Sequence, residues 1–405
     1  MNKKFSLKFM LALVFSASAL TCVLVILFFT LFTGSSSVGH INGSDGVGGD
    51  TNRGYFDELM GIIETRFIGT FDITELTDEA MRAVIESLDD DWSYYMNADE
   101  YREFLENSNN QYRGIGVEVV LDEDTEGMRV LRVYRDSGAF FAGIVADDII
   151  TAVDGESIAG LTLHEIRLKL RRELGETAII TVLRADGNYY DLTVSYDIVF
   201  TDPVNFNMLD GNIGYVKLRN FEDGAGNSFI EAVNELIDAG AVAFIYDVRS
   251  NNGGRVNEVT KILDFLLPEG EIFISVDRSG VENITYSDAK FIDLPAVVLV
   301  DSYSYSGAEF FAAMLHEYEY AATVGEQTTG KNRMQTTISL SNGGAVHLST
   351  GHYLTKNRIS LYDVGGFTPD YVIEMPDDER SLYYRGELSP ENDTQLVKAL
   401  SLLEN

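Results

Sequence analysis

Five consecutive aliphatic residues, Ala296-Val-Val-Leu-Val300, set the strongest limit on the fold. A strand without a polar residue on either face of its pleat has nothing to offer water. It belongs inside a sheet covered on both sides. A polar turn follows from Asp301, and an apolar helical pattern runs from Ala308 to Tyr318. The same order recurs upstream: the nearly apolar strand Ala243-Phe-Ile-Tyr-Asp247, a Gly-containing turn, and a helical stretch from Asn257 to Leu267. Ile213 to Leu218 reads as a strand and Ser228 to Ile237 as a helix. Such repetition implies an α/β core built on a parallel sheet. Chemistry in these sheets gathers at the carboxyl ends of strands, which singles out the turns after Asp247 and Val300.

The segments before this core differ from it. Gln111 to about Ile198 alternates in short β patterns, with one good helix from Leu163 to Leu170, and reads as a small α+β domain. From Tyr55 to Ser108 the pattern is helical, with Phe56, Leu59, Ile62, Ile63 and Phe67 at three- and four-residue steps. Asp78 to Leu88 reads as a second helix, closed by Asp89-Asp90-Asp91-Trp92. Residues 34–54 are rich in Gly, Ser and Asn and read as a flexible linker. Phe9 to Phe32 is an uncharged, mostly apolar run of 24 residues. As a helix it would be about 36 Å long, enough to span a bilayer core. Lys3, Lys4 and Lys8 favour a cytoplasmic N-terminus. The expectation is therefore a cytoplasmic tail (1–8), a single transmembrane anchor (9–33) and an extracytoplasmic remainder. The competing reading is a cleaved signal peptide with Ala17-Ser18-Ala19 as its nominal site, but that motif lies in mid-span.

Charge and cysteine content narrow the function. Thirty Lys+Arg against 64 Asp+Glu leave a net charge of −34, which argues against nucleic-acid binding. The single cysteine, Cys22, excludes intrachain disulfides and cysteine-based zinc sites. Asp45 to Asp50 lacks the ligand spacing of a calcium loop, so neither metal nor cofactor is expected.

The turn after Val300 reads Asp301-Ser-Tyr-Ser-Tyr-Ser-Gly-Ala-Glu309. A serine entering a helix can be a nucleophile beside amides that hold an oxyanion, although serine is also a common helix cap. Histidine bases are not recommended by context; His316 and His352 are the candidates if a histidine serves. The other base is a lysine made neutral by desolvation, and Lys331 in Gly330-Lys331-Asn-Arg-Met-Gln335 offers one.

At this point the chain resembles the carboxyl-terminal processing (tail-specific) proteases, PDZ-containing serine peptidases with a Ser-Lys dyad. Glu86 to Met96 is similar to "SLDDPYSxYM", and Tyr112-Arg-Gly-Ile-Gly-Val117 to the PDZ carboxylate-binding loop. Ala142 to Gly155 resembles "AGLKxGDxIxxVDG", Asp247 to Gly254 "DLRxNPGG", and Val324 to Lys331 "VGExTxGK". Gly366 to Asp370 and Gln395 to Leu400 match the closing segments. The ordered set spans Tyr55 to the C-terminus.

The resemblance implies an α/β protease core (199–405) of crotonase-like ββα units, an inserted PDZ domain (109–198) and an N-terminal helical segment (55–108). It implies Ser306, the middle serine of "SASASE", as nucleophile and Lys331, 25 positions on, as base. Gln335 takes the orienting position. Gly307, Gly253 and Gly254 are the implied oxyanion donors. Ser302 and Ser304 are rival nucleophiles by sequence alone. Tyr112, Arg113, Gly114, Ile115 and Gly116 would hold a peptide's terminal carboxylate, and Arg171 is the gating candidate. The implied partners are protein substrates with accessible C-termini and, through terminal segments, a second copy of the chain. Three residues depart from the pattern: Asn252 stands for Pro, Tyr305 for a small residue and Asn332 for Gly. The rival from another class is a catalytically inactive PDZ scaffold with the same fold.

Overall fold

The computed structural model describes residues 49–122 and 125–404. The anchor, the cytoplasmic tail and most of the linker expected from sequence lie outside the described residues. No helix among the described residues is long and apolar enough to cross a membrane. Residues up to Asp72 form one compact unit and those from Ile73 another. In the first, the helix Gly49–Arg66 carries the three- and four-residue apolar pattern, and Phe67 meets Phe71 edge to face at 6.1 Å. The helix begins at Gly49, so the linker ends earlier than residue 54. Once a helix is nucleated, each added residue gains a hydrogen bond, which carries it into a Gly- and Asn-containing stretch.

The second unit is organised by a six-stranded sheet. Its order is Val204–Leu209, Ile213–Leu218, Ala243–Asp247, Ala296–Val300, Ala321–Gly325 and Tyr371–Val372. The first pair is antiparallel and every later pair parallel. Alternate residues of the apolar strands bury on opposite faces. Phe244, Tyr246, Val298 and Val300 pack with the helices Ala225–Asp238, Val256–Leu266 and Gly307–Glu317. Ile245, Val297 and Leu299 pack with Leu396 and Ala399 of the helix Thr394–Leu403. The two-sided covering required by the Ala296–Val300 run is thus supplied by helices from both sides.

Two features depart from the sequence reading. The core is not one parallel sheet: Glu282–Ser287, Gly270–Asp277 and Ala345–Leu354 form a second, antiparallel sheet, joined by Arg333–Ser339. The segment 55–108 is also not wholly helical. Tyr94–Met96 is a strand on the edge of that second sheet, with Tyr94 opposite His347. Three residues are too few to show a period, so only tertiary pairing selects this strand.

Residues 117–195 form a third, antiparallel sheet in the order Val117–Asp122, Gly127–Val133, Ile149–Val153, Thr177–Leu183, Tyr189–Ser195. It has its own core of Val130, Ile150, Ile158, Ile166, Ile180 and Val194. The chain enters and leaves it through one ribbon, Gln111–Gly114 against Asp197–Phe200. Adjacent entry and exit points let this domain be inserted without interrupting the main sheet.

Candidate active site

Strand Ala296–Val300 ends in a turn built around Asp301. Its carboxylate accepts hydrogen bonds from Ser250 N at 2.9 Å and Tyr303 N at 3.0 Å. Ser304 is fully buried; its Oγ accepts from Asp301 N at 3.0 Å and donates to Val248 O at 2.8 Å. Ser304 therefore staples the two candidate turns together. Ser302 is exposed, and its carbonyl accepts from Thr329 Oγ1. Ser306 stands immediately before the helix Gly307–Glu317, with φ 56° and ψ −120°. Such a backbone is strained for a residue with a Cβ and persists only where its surroundings over-determine it. Ser304→Ala is expected to cost about 1–3 kcal/mol in urea unfolding, because it unsatisfies buried groups. Ser302→Ala should change stability by less than about 0.5 kcal/mol.

Glu309 holds the strained turn. Its buried carboxylate accepts from Ser306 N at 2.9 Å, Lys331 N at 2.6 Å, Gly330 N at 2.9 Å and Thr328 Oγ1 at 2.7 Å. One carboxylate thereby joins the helix entry to the loop carrying Lys331. Burial pushes its pKa up, against these four hydrogen bonds. The sequence motifs assign Glu309 no role; its position three residues after a helix-entry serine is the capping-box signal by which it can be found.

The turn after Asp247 closes the other side. Gly253 and Gly254 have φ of 88° and 148°. A Cβ on Gly253 would lie 2.7 Å from Gly307 N, and one on Gly254 would lie 2.4 Å from the Phe221 carbonyl carbon. Only glycine permits this approach. Of the three expected oxyanion donors, Gly253 is engaged: its amide donates to Asn251 Oδ1 at 2.8 Å. The amides of Gly254 and Gly307 meet no protein acceptor among the described residues. Arg249 fixes the start of this turn from below. It makes a two-point contact with Asp247 at 3.0 and 2.7 Å, and reaches Asp393 at 2.9 Å and Gln395 at 3.1 Å. Tyr383 covers it, with the guanidinium 4.7 Å from the ring centroid.

The Lys331 side chain is mostly buried. Burial pulls its pKa down to about 8, against the carboxylates of Glu309 and Asp90. Its Nζ lies 4.3 Å from the Trp92 ring centroid and makes no hydrogen bond to Ser306. Ser306 is instead a hydrogen-bonding neighbour of Tyr353, whose hydroxyl also reaches the Lys331 carbonyl. Gln335 does not meet the amine. Its Nε2 donates to Arg333 O and Ser349 Oγ, both at 3.1 Å, where a bulge between Met334 and Gln335 shifts the register.

The remaining candidates lie elsewhere. Arg171 is exposed at the end of helix Leu163–Leu170, near Tyr196. Tyr112, Arg113 and Gly114 sit on the ribbon strand, and Arg113 pairs with Glu106 at 2.5 Å. Ile115 is buried, and Gly116 has φ 90° with no room for a Cβ beside Ser137. The next strand, Val117–Asp122, pairs only with Gly127–Val133 among the described residues, which leaves one edge open. His316 pairs with Asp370 at 3.2 Å, and neither it nor His352 hydrogen-bonds Ser306. Among the described residues no cluster of three metal-ligating side chains occurs.

Residues 212–373 match the model of peptidase family S41. The chain is 28% identical over 340 residues to a carboxy-terminal-processing protease of Bartonella bacilliformis, covering 82% of this chain and 76% of that one. It is 28% identical over 352 residues to the carboxy-terminal processing protease CtpA of Bacillus subtilis, with coverage of 86% and 74%. Among solved structures, an S41 protease of Bacteroides fragilis superposes with a TM-score of 0.59 at 17% identity, over 86% of this chain and 97% of that one; this shows the shared fold. The family match falls on the sheet and turns that carry Ser306 and Lys331, and over most of its length the chain is similar to carboxyl-terminal processing proteases.

Proposed function

We propose that this protein is a membrane-anchored endopeptidase in which Ser306 is the nucleophile and Lys331 the general base. Neutral Lys331 takes the Ser306 proton as the oxygen attacks the scissile carbonyl. The amides of Gly254 and Gly307 hold the resulting oxyanion. The protonated amine then returns its proton to the leaving amine, and water, deprotonated by Lys331, hydrolyses the acyl-enzyme. The observation that carries this reading is the Glu309 carboxylate bonded to the backbone of both Ser306 and Lys331. It keeps the two loops adjacent through backbone contacts alone, so neither reacting side chain is used to hold them together. A Lys331 pKa near 8 supports the same reading, since a base must be available near neutral pH.

The inserted domain is proposed to be a PDZ module that selects substrates by their C-termini. The open edge of Val117–Asp122 can accept a peptide as an added strand, with the Tyr112–Gly116 turn at its terminal carboxylate. Phe9–Phe32 would hold the catalytic part outside the cytoplasm, close to the membrane. A homodimer through the terminal segments belongs to the same proposal.

The test is degradation of an unfolded protein whose C-terminus is either free or amidated. Ser306→Ala is expected to lower the rate by at least about 10⁴-fold. The amidated substrate should be cleaved more slowly by the wild type, through a higher KM. Equal slow degradation by wild type and Ser306→Ala would establish an inactive scaffold instead.

A further inference from the structure

The Lys331 amine is held by two rings from distant parts of the chain. Its Nζ is 4.3 Å from the centroid of Trp92 and 5.8 Å from that of Tyr305. The rings also meet each other, with centroids 5.8 Å apart and planes tilted by 37°. Ring faces attract a cation through their quadrupole, Trp most strongly, and offer nothing comparable to a neutral amine. The other polar groups around the amine do not take it. Glu309 is committed to four hydrogen bonds, and Asp90 to Ser93 Oγ and Arg333. His347 is kept neutral, its pKa pushed down to about 4 by burial and then by the Lys331 charge. The Tyr353 hydroxyl faces the Lys331 carbonyl.

The position of Trp92 is defined but releasable. Ser93 Oγ ties its turn to Asp90 and accepts from Ser349 N at 2.9 Å. The following strand, Tyr94–Met96, is anchored by the buried Tyr95 and Met96, whereas the Trp92 ring is only half-buried, so release is a movement of the ring and not of the strand. Of the two rings, Tyr305 stands where this sequence leaves the pattern it resembles, at a small residue of "SASASE". Two rings 213 positions apart (305 − 92) thus meet on one amine.

We propose that Trp92 and Tyr305 form an aromatic clamp that parks the Lys331 ammonium away from Ser306, and that the dyad assembles when a substrate chain entering the cleft displaces the Trp92 ring. The inference rests on the Ser306–Lys331 reading above and adds to it two positioning residues that set when the base becomes available. The clamp favours the protonation state of Lys331 that cannot act as a base. It therefore suppresses reaction at neutral pH and relaxes where the amine is neutral anyway.

The experiment is the rate of Ser306 labelling by a fluorophosphonate between pH 6 and 10, with no peptide substrate present. Trp92→Ala and Tyr305→Ala are expected to label about three- to thirtyfold faster than wild type at pH 7, the range set by the strength of a partly desolvated cation–π contact. The excess should vanish above about pH 9, and Trp92→Phe should fall between wild type and Trp92→Ala. Rings that merely pack would instead give slower or unchanged labelling at every pH, which overturns the proposal. If Trp92→Ala does not fold, Tyr305→Ala and Trp92→Phe carry the same comparison.

Trp92 is the single tryptophan of the chain, so its emission reads the clamp directly. The wild type should show an emission step near the Lys331 titration that Lys331→Met lacks. Adding a peptide with a free C-terminus to Ser306→Ala should reproduce the emission of the released ring. An identical emission profile in wild type and Lys331→Met overturns the clamp. If no variant labels at Ser306 at any pH, the peptidase reading fails, and the emission step alone decides whether the clamp exists.

Discussion

Lys331→Met is expected to lower kcat by about 10²–10⁴-fold, the usual contribution of a positioned general base. It should at the same time make the protein more stable at pH 7. Both effects follow from the buried amine, whose pKa is pulled down to about 8. Between about 8 and the unfolded value of roughly 10.4, the unfolded chain binds the extra proton. Stability therefore rises with pH through that window, and below it the folded state carries the full cost of a poorly solvated ammonium. Methionine has similar length and no charge to desolvate. A gain of about 1 kcal/mol at pH 7, allowing for partial solvent access, is the expected result in urea unfolding. The rise in stability between pH 8 and 10 should flatten in the variant. The wild-type rate should climb with pH and level off above about 9, because only the neutral amine accepts a proton. A rate unchanged in Lys331→Met, with loss of activity in His352→Ala or His316→Ala, would transfer the base role to histidine.

Arg249→Met should produce the largest loss of stability, about 3–5 kcal/mol, the cost of leaving buried carboxylates without their counter-charge. The guanidinium side chain is 1% exposed and Asp247 is 0% exposed, so water cannot replace what is removed. Burial alone would push the Asp247 carboxyl up, but the charges of Arg249 and Lys217 outweigh it and hold it below the ordinary carboxylate range. In the wild type this contribution is present above the unfolded pKa, near 3.9, and is lost only as pH falls through the depressed folded value. In Arg249→Met only the Lys217 charge and the Tyr215 hydrogen bond still oppose burial, and the carboxyl rises. The stability gap between variant and wild type should therefore narrow as pH falls from 7 to 5 and the buried acid takes up a proton. Arg249→Lys should recover only part of the loss, since an ammonium cannot make the two-point contact. Activity should fall with stability, because the Arg249 cluster seats the turn containing Gly253 and Gly254. A variant as stable as wild type would show that the cluster contributes no net stabilisation.

The parts of the fold legible in the sequence are those whose cause is local. Ala243–Asp247 and Ala296–Val300 could be read as interior strands because an uninterrupted apolar run has no solvent face. The helix at Leu163–Leu170 shows its cap, Thr162, and its period in the sequence itself. The turns after Asp247 and Val300 could be located because a parallel sheet puts its strand ends on one side. The strand Tyr94–Met96 could not be read, because pairing with His347, more than 250 positions away, gives it its form.

The sequence by itself determined which residue types stand at each turn: glycines where a Cβ would collide with Ser306 or Phe221, a serine at the helix entry, and a lysine in the following loop. Tertiary structure alone decided their states. It engaged the Gly253 amide with Asn251, turned Gln335 toward Ser349, and gave Ser304 a stapling role. It also set Glu309 between two loops and Trp92 over an amine 239 positions away (331 − 92). Hydrogen-bond partners, desolvation and ring contacts are properties of what surrounds a side chain, and those surroundings exist only once distant segments have packed together.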